Sequence, residues 1–171
     1  FDLGGMGKGW TVDRTVDALR DAGYFLINAG GDLFAFGAPP GTRGWEIHLA
    51  HPLDPRLRIA TLRVAHRAVA TSTIARRRWL HDGHIRHHLI DPRTGRPARG
   101  EVVSVSVVGE RVFTAEVYAK SALILGREDG LAFLESLPDV EGLMALAGGE
   151  IVMTSGMDRV VDRLEPARYM Q

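Results

Sequence analysis

No cysteine occurs among the 171 residues, which excludes disulfides, thiolate metal centres and cysteine nucleophiles. The compartment stays open, because a cysteine-free chain suits the cytoplasm and the exterior of the membrane equally. No apolar run approaches the roughly 18 residues that a membrane helix needs, and no signal peptide stands out. Net charge is missing as well. The 21 Lys and Arg balance 21 Asp and Glu, so the basic face that follows a nucleic-acid backbone is not expected. The one local excess, Arg76-Arg77-Arg78, reads as a solvated turn, with a phosphate contact as the alternative. An initiating Met is also absent, and the chain opens inside a glycine motif, as a fragment or trimmed chain would. What is present is ordinary for one globular domain: 45% hydrophobic and 25% charged residues, enough for a real core.

After the glycine-rich opening, a helix is expected from about Trp10 to Ala22, with Val12, Val16 and Leu19 on one face and Gly23 as its stop. Residues 24–27 and 33–36 read as strands around a tight turn, Asn28-Ala29-Gly30-Gly31-Asp32. Further strands are expected at 45–49, 57–64, 68–71, 85–90 and 102–108, the last alternating as a half-buried strand does. The pattern turns helical from Thr114 to Leu137, broken near Gly126 to Gly130, and two strands follow at 142–147 and 151–154. Many strands joined by short turns, mixed with few helices, argue for an α+β fold with a mostly antiparallel sheet. No repeat or linker divides the chain, so residues 1–171 read as a single domain.

Four segments carry chemistry. Asp2-Leu3-Gly4-Gly5-Met6-Gly7-Lys8-Gly9 can wrap backbone N–H groups around phosphate. It is not the Walker pattern, because Gly9 stands where that motif needs a hydroxyl. Asn28 to Asp32 is either a hairpin turn or a bare-backbone platform for a ligand. Ala68-Val69-Ala70-Thr71-Ser72-Thr73 ends in hydroxyls that suit a phosphate or ribose, or simply a strand end. In His87-His88-Leu89-Ile90-Asp91-Pro92-Arg93-Thr94-Gly95, strand alternation sends the two histidines to opposite faces, so a shared two-His zinc site is not expected.

Each segment alone is compatible with structure only, but their joint order resembles the ApbE family of FAD:protein FMN transferases: D-L-G-G-x-x-K-G, N-A-G-G-D, A-V-A-T-S and H-x-[IL]-D-P-x-T-G. The resemblance runs from Asp2 to about Ser155 and lacks the part that precedes the first motif in the family. It implies an ApbE-like, T-fold-like domain without its N-terminal part. It implies that FMN passes from FAD to a Ser or Thr hydroxyl of an acceptor protein, with AMP released. By the same resemblance Gly4, Gly5, Lys8, Asn28, Ala29, Gly30, Gly31, Asp32, Thr71, Ser72, His88, Asp91 and Thr94 line the FAD site. Lys8 would contact phosphate and His88 would act as base, while His87 would be structural. Mg²⁺ would be held by the carbonyl of Gly5 and by a later acidic residue.

That later motif departs from the family. The usual T-A-D-A-x-A-T-A reads Thr114-Ala115-Glu116-Val117-Tyr118-Ala119-Lys120-Ser121 here. Glu116 can ligate Mg²⁺, but a protonated lysine at 120 offers no lone pair. Glu116 and Lys120 also make an ordinary i, i+4 pair on a helix. Alternatives to the transferase are therefore an FAD-binding protein without catalysis and an FAD pyrophosphatase. The acceptor and the oligomeric state are not legible.

Overall fold

The computed structural model describes residues 3–165, the side chain of His84 aside; Asp2 of the first motif lies outside them. A 3₁₀ turn, Leu3–Gly5, leads into α1, Gly7–Ala18. There follow β1 Phe25–Ala29, β2 Asp32–Phe36, β3 Trp45–Ala50, β4 Arg58–Val64, β5 Arg67–Thr73, β6 Arg78–His81, β7 His84–His87, β8 Ile90–Asp91, β9 Arg96–Pro97 and β10 Val102–Gly109. Then come α2 Val112–Leu125, α3 Arg127–Glu135, β11 Glu141–Leu146, β12 Ile151–Met153 and β13 Val161–Leu164.

The order β1-β2-β5-β10-β11-β12 forms a six-stranded sheet and β13-β4-β3 a three-stranded one, every pairing antiparallel. The fold is the α+β type expected, with helices on one face of the larger sheet and the smaller sheet against the other. Two apolar clusters fill the layers. Val12, Phe34, Ala70, Val105, Val107, Val112 and Ala119 belong to the helix-side core. Leu33, Ile47, Leu62, Val69, Val108 and Leu143 belong to the core between the sheets.

This layering corrects the reading of β10. It is buried along its whole length, not on alternate residues, because it is a central strand covered on both faces. Leu19 is likewise exposed instead of facing the core: α1 ends at Ala18 and the chain passes into a second 3₁₀ turn, Arg20–Ala22. Asn28 and Ala29 belong to β1 and Asp32 opens β2, so the turn is only Gly30-Gly31, both at positive φ (69° and 105°) as a tight two-residue hairpin requires. The strand expected over 85–90 is instead the end of a hairpin, β6–β7, turned at Asp82-Gly83.

α1 and α2 cross at closest approach where Gly9 meets Phe113. A Cβ at Gly9 would lie 2.6 Å from the Phe113 Cα. Asp13, on the buried face of α1, completes the joint: its Oδ1 accepts from Val112 N–H (2.9 Å) and its Oδ2 from Phe113 N–H (3.1 Å). One helix thus caps the other, since α2 has no side-chain cap of its own. Gly9→Ala is expected to cost about 1–3 kcal/mol, the range for overpacking a filled core. Gly7→Ala, whose Cβ would meet nothing within 4 Å, is expected to leave stability unchanged or slightly improved. Urea midpoints at constant m check both.

Candidate active site

The capped helix joint sets out the site. Gly9 N–H donates to Glu116 Oε2 of α2 at 2.8 Å, and the Lys8 ammonium stands 3.5 Å from Glu116 Oε1. The same ammonium pairs with Asp32 Oδ2 at the start of β2. Asp32 Oδ1 accepts from the N–H of Thr71 at 3.1 Å. Two carboxylates buried to 2% and 5% exposure, Asp32 and Glu116, therefore share one half-exposed lysine. Burying two anions side by side is costly unless a cation and N–H donors meet them, and segments from residues 8, 32, 71 and 116 converge to supply them.

Beside this cluster the backbone is bare. Gly30 and Gly31 hold the hairpin turn, fastened by Asn28 Oδ1 accepting from Gly31 N–H at 2.8 Å. A Cβ on Gly7, Gly30 or Gly31 would meet nothing within 4 Å. Gly5 is buried in the 3₁₀ turn before α1, and Gly4 is exposed. Thr71 takes part through its backbone only. Val69 belongs to the core between the sheets and Ala70 to the helix-side core, so alternation sends Thr71 away from the helices and Ser72 toward them. The Thr71 hydroxyl is hydrogen-bonded to Ser106 Oγ at 2.8 Å.

The histidines part as the alternation argument expects, although only His87 is in a strand. His87 is buried and its Nε2 is 2.9 Å from the carbonyl of Ala98. His88 follows the strand end and is exposed. Desolvation first, then the charges of Arg77, His87 and Lys120, hold its imidazole below the usual histidine range, against a backbone hydrogen bond at Arg77 that works the other way. Lys120 lies one turn of α2 beyond Glu116. A single helix thus presents Glu116 to Lys8 and the Lys120 charge to His88.

Asp91 and Thr94 build the next turn. Asp91 accepts from Arg93 Nε at 3.0 Å and from Arg93 N–H at 2.9 Å, and these bonds hold its carboxyl below the usual range. Arg93 also reaches the carbonyl of Ile124 near the end of α2 (3.3 Å), while Thr94 and Gly95 N–H groups donate to the Asp91 carbonyl. Asp91 is therefore occupied in pinning this turn to α2. Sequence reasoning missed Asp13 and Arg77. A lone Asp between Val12 and Val16 on an apolar helical face was the available signal for the first. Nothing marked the second beyond its place in the arginine run.

A profile of the ApbE family matches residues 1–144. An FAD:protein FMN transferase of Klebsiella pneumoniae is 31% identical over 158 residues, covering 91% of this chain and 48% of its own length. One of Treponema pallidum is 31% identical over 182 residues, covering 99% and 50%. The crystal structure of the ApbE protein of Thermotoga maritima superposes with a TM-score of 0.85 at 30% identity, over 95% of this chain and 54% of that one. The flavin transferase ApbE of Vibrio cholerae gives 0.78 at 28%, over 93% and 52%. The chain spans about half the length of the curated relatives it matches.

Proposed function

The chain belongs to the ApbE family, and we propose that the protein it represents transfers FMN from FAD to a hydroxyl of an acceptor protein. The observation that carries this reading is the half-exposed ammonium of Lys8 over Asp32 and Glu116, beside the bare glycine backbone of the β1–β2 turn. The FAD pyrophosphate would lie there, against Lys8, the N-terminal turn of α1 and the bare backbone of Gly30 and Gly31. An acceptor Ser or Thr oxygen attacks the phosphorus of the FMN half. The new O–P bond forms as the bond to the bridging oxygen breaks, and AMP leaves with that electron pair. His88 takes the hydroxyl proton. Holding the two groups in line is most of what such a transfer asks of a protein.

The family resemblance implies Mg²⁺, and the donors present do not suit it. Mg²⁺ wants near-octahedral oxygen ligands. Glu116 already accepts a backbone N–H on one oxygen and faces an ammonium with the other, Asp32 is occupied in the same way, and position 120 brings another cation. The positive charge for the pyrophosphate is therefore assigned to Lys8 and Lys120, with no step routed through a metal.

The products test the reading. The full-length protein, incubated with FAD and a hydroxyl-bearing acceptor, should yield AMP and covalently bound FMN in equal amounts. AMP with free FMN would mean a pyrophosphatase, and bound FAD with neither product a binding protein.

A pH effect follows from His88. The acid limb of kcat/KM is expected below the ordinary histidine value of about 6.5. Lys120→Met removes one of the charges that lower it, so the limb should move upward. A limb that stays in place would separate Lys120 from the base.

A further inference from the structure

The β6–β7 hairpin gathers three large exposed apolar side chains on one short ribbon. Trp79, Leu80 and Ile85 are 52%, 73% and 67% exposed, and every residue of β6 is exposed. Its register pairs Arg78 with His87, Trp79 with Arg86 and Leu80 with Ile85. Leu80 and Ile85 therefore share one face, with Arg78 at its foot, while Trp79 and Arg86 share the other. A two-stranded ribbon carrying its apolar residues into water is marginal alone. Both its outer edges lack a strand neighbour among the described residues.

Charge says what would cover it. Arg76, Arg77, Arg78 and Arg86 crowd the ribbon against a single acid, Asp82, in a chain whose net charge is zero. The occupant that fits is an acidic polypeptide with apolar anchors, which can add along a ribbon edge through main-chain hydrogen bonds while arginines read its carboxylates. Placement narrows it further. β7 ends at His87 and the next residue is His88, whose ring meets the backbone at Arg77, at the foot of the same ribbon. A segment lying on the hairpin is led to the group that accepts the proton.

We propose that the β6–β7 hairpin is the docking surface for the acceptor protein, and that it selects a Ser or Thr flanked by acidic and apolar side chains. This rests on the transferase reading above. It adds the element that chooses the protein substrate, apart from the residues that hold FAD.

The test uses the full-length protein, FAD and two synthetic peptides, each with one central Thr, flanked in one by Asp and Leu and in the other by Lys and Leu. The parent should bind the acidic peptide more tightly, read by anisotropy of a labelled peptide, and transfer FMN to it faster. Arg78→Glu/Arg86→Glu should lower kcat/KM for the acidic peptide by about 10-fold or more and narrow or reverse the preference, as charge reversal at an interface does. Leu80→Ser/Ile85→Ser should weaken both peptides. FAD affinity should be unchanged in either variant, and since Arg78, Leu80 and Ile85 are exposed and Arg86 is half-buried, circular dichroism is run on each variant and should match the parent. Equal binding of both peptides by parent and variants overturns the docking surface while leaving the transferase reading intact. A parent that binds the acidic peptide but consumes no FAD with it overturns both. A variant whose only change is loss of self-association assigns the hairpin to a second copy of the chain and overturns the acceptor role.

Discussion

His88→Ala is expected to lower FMN transfer by about 10²-fold or more, within the range for removing a general base, while FAD affinity and thermal stability change little. His88 is exposed and its ring lies among cations that favour its neutral, proton-accepting form. His87→Ala should behave in the opposite way. Its ring is buried on the Ala98 carbonyl, which ties β7 to the segment after β9. Removing it leaves a cavity and a lost buried hydrogen bond, for about 2–4 kcal/mol of stability, with turnover per folded molecule retained. Equal losses of turnover in the two variants would sink the division of roles.

The second large effect concerns cations. Lys8→Met should reduce transfer by about 10²–10³-fold, the scale of losing one preorganised charge or donor at a reacting phosphate. It also leaves Asp32 and Glu116 facing each other without their shared partner, so stability should fall together with activity. Chelation by EDTA should change FAD affinity and AMP release by no more than about twofold if Lys8 and Lys120 carry the charge that the family resemblance assigns to Mg²⁺. Lys120→Thr is the informative partner. Metal dependence that arises only in this variant supports a lysine standing in for the ion. Strong Mg²⁺ dependence in the parent, unaltered by Lys120→Thr, would reduce Lys120 to a helical partner of Glu116 and contradict the assignment.

Much of this was legible in the residues, and the exceptions have physical causes. Alternation located β3 and β4, a short apolar run located β5, and Gly126 marked the break between α2 and α3, because those signals are local. The burial of β10 on both faces was not local: it depends on a three-stranded sheet assembled from β3, β4 and β13, and β13 was not foreseen at all. The β6–β7 hairpin had a readable sign in Asp82-Gly83, with φ of 49° and 72°, a dipeptide that suits a tight turn. β6 carries charged and apolar residues in no core pattern, which hid it, whereas β7 overlaps the strand expected over 85–90.

At the site, the motifs marked segments that converge in the fold, but the contacts between them are tertiary. That Gly9 is there to let α2 approach, that Asp13 caps a helix other than its own, and that Thr71 offers its N–H while its hydroxyl turns to Ser106 follow only from packing. Gly30→Val would disturb the turn itself, since a β-branched residue at φ 69° is strained. Lys8 is the better position from which to probe FAD binding.

The most direct measurement follows the phosphorus. FAD carrying ³²P only in the phosphate next to riboflavin is given to the full-length protein with an acceptor, and the products are separated. The expected result is label bound covalently to the acceptor through a Ser or Thr oxygen, with unlabelled AMP released in equal amount. Label recovered as free FMN, or remaining in intact FAD, would contradict transfer to a protein hydroxyl.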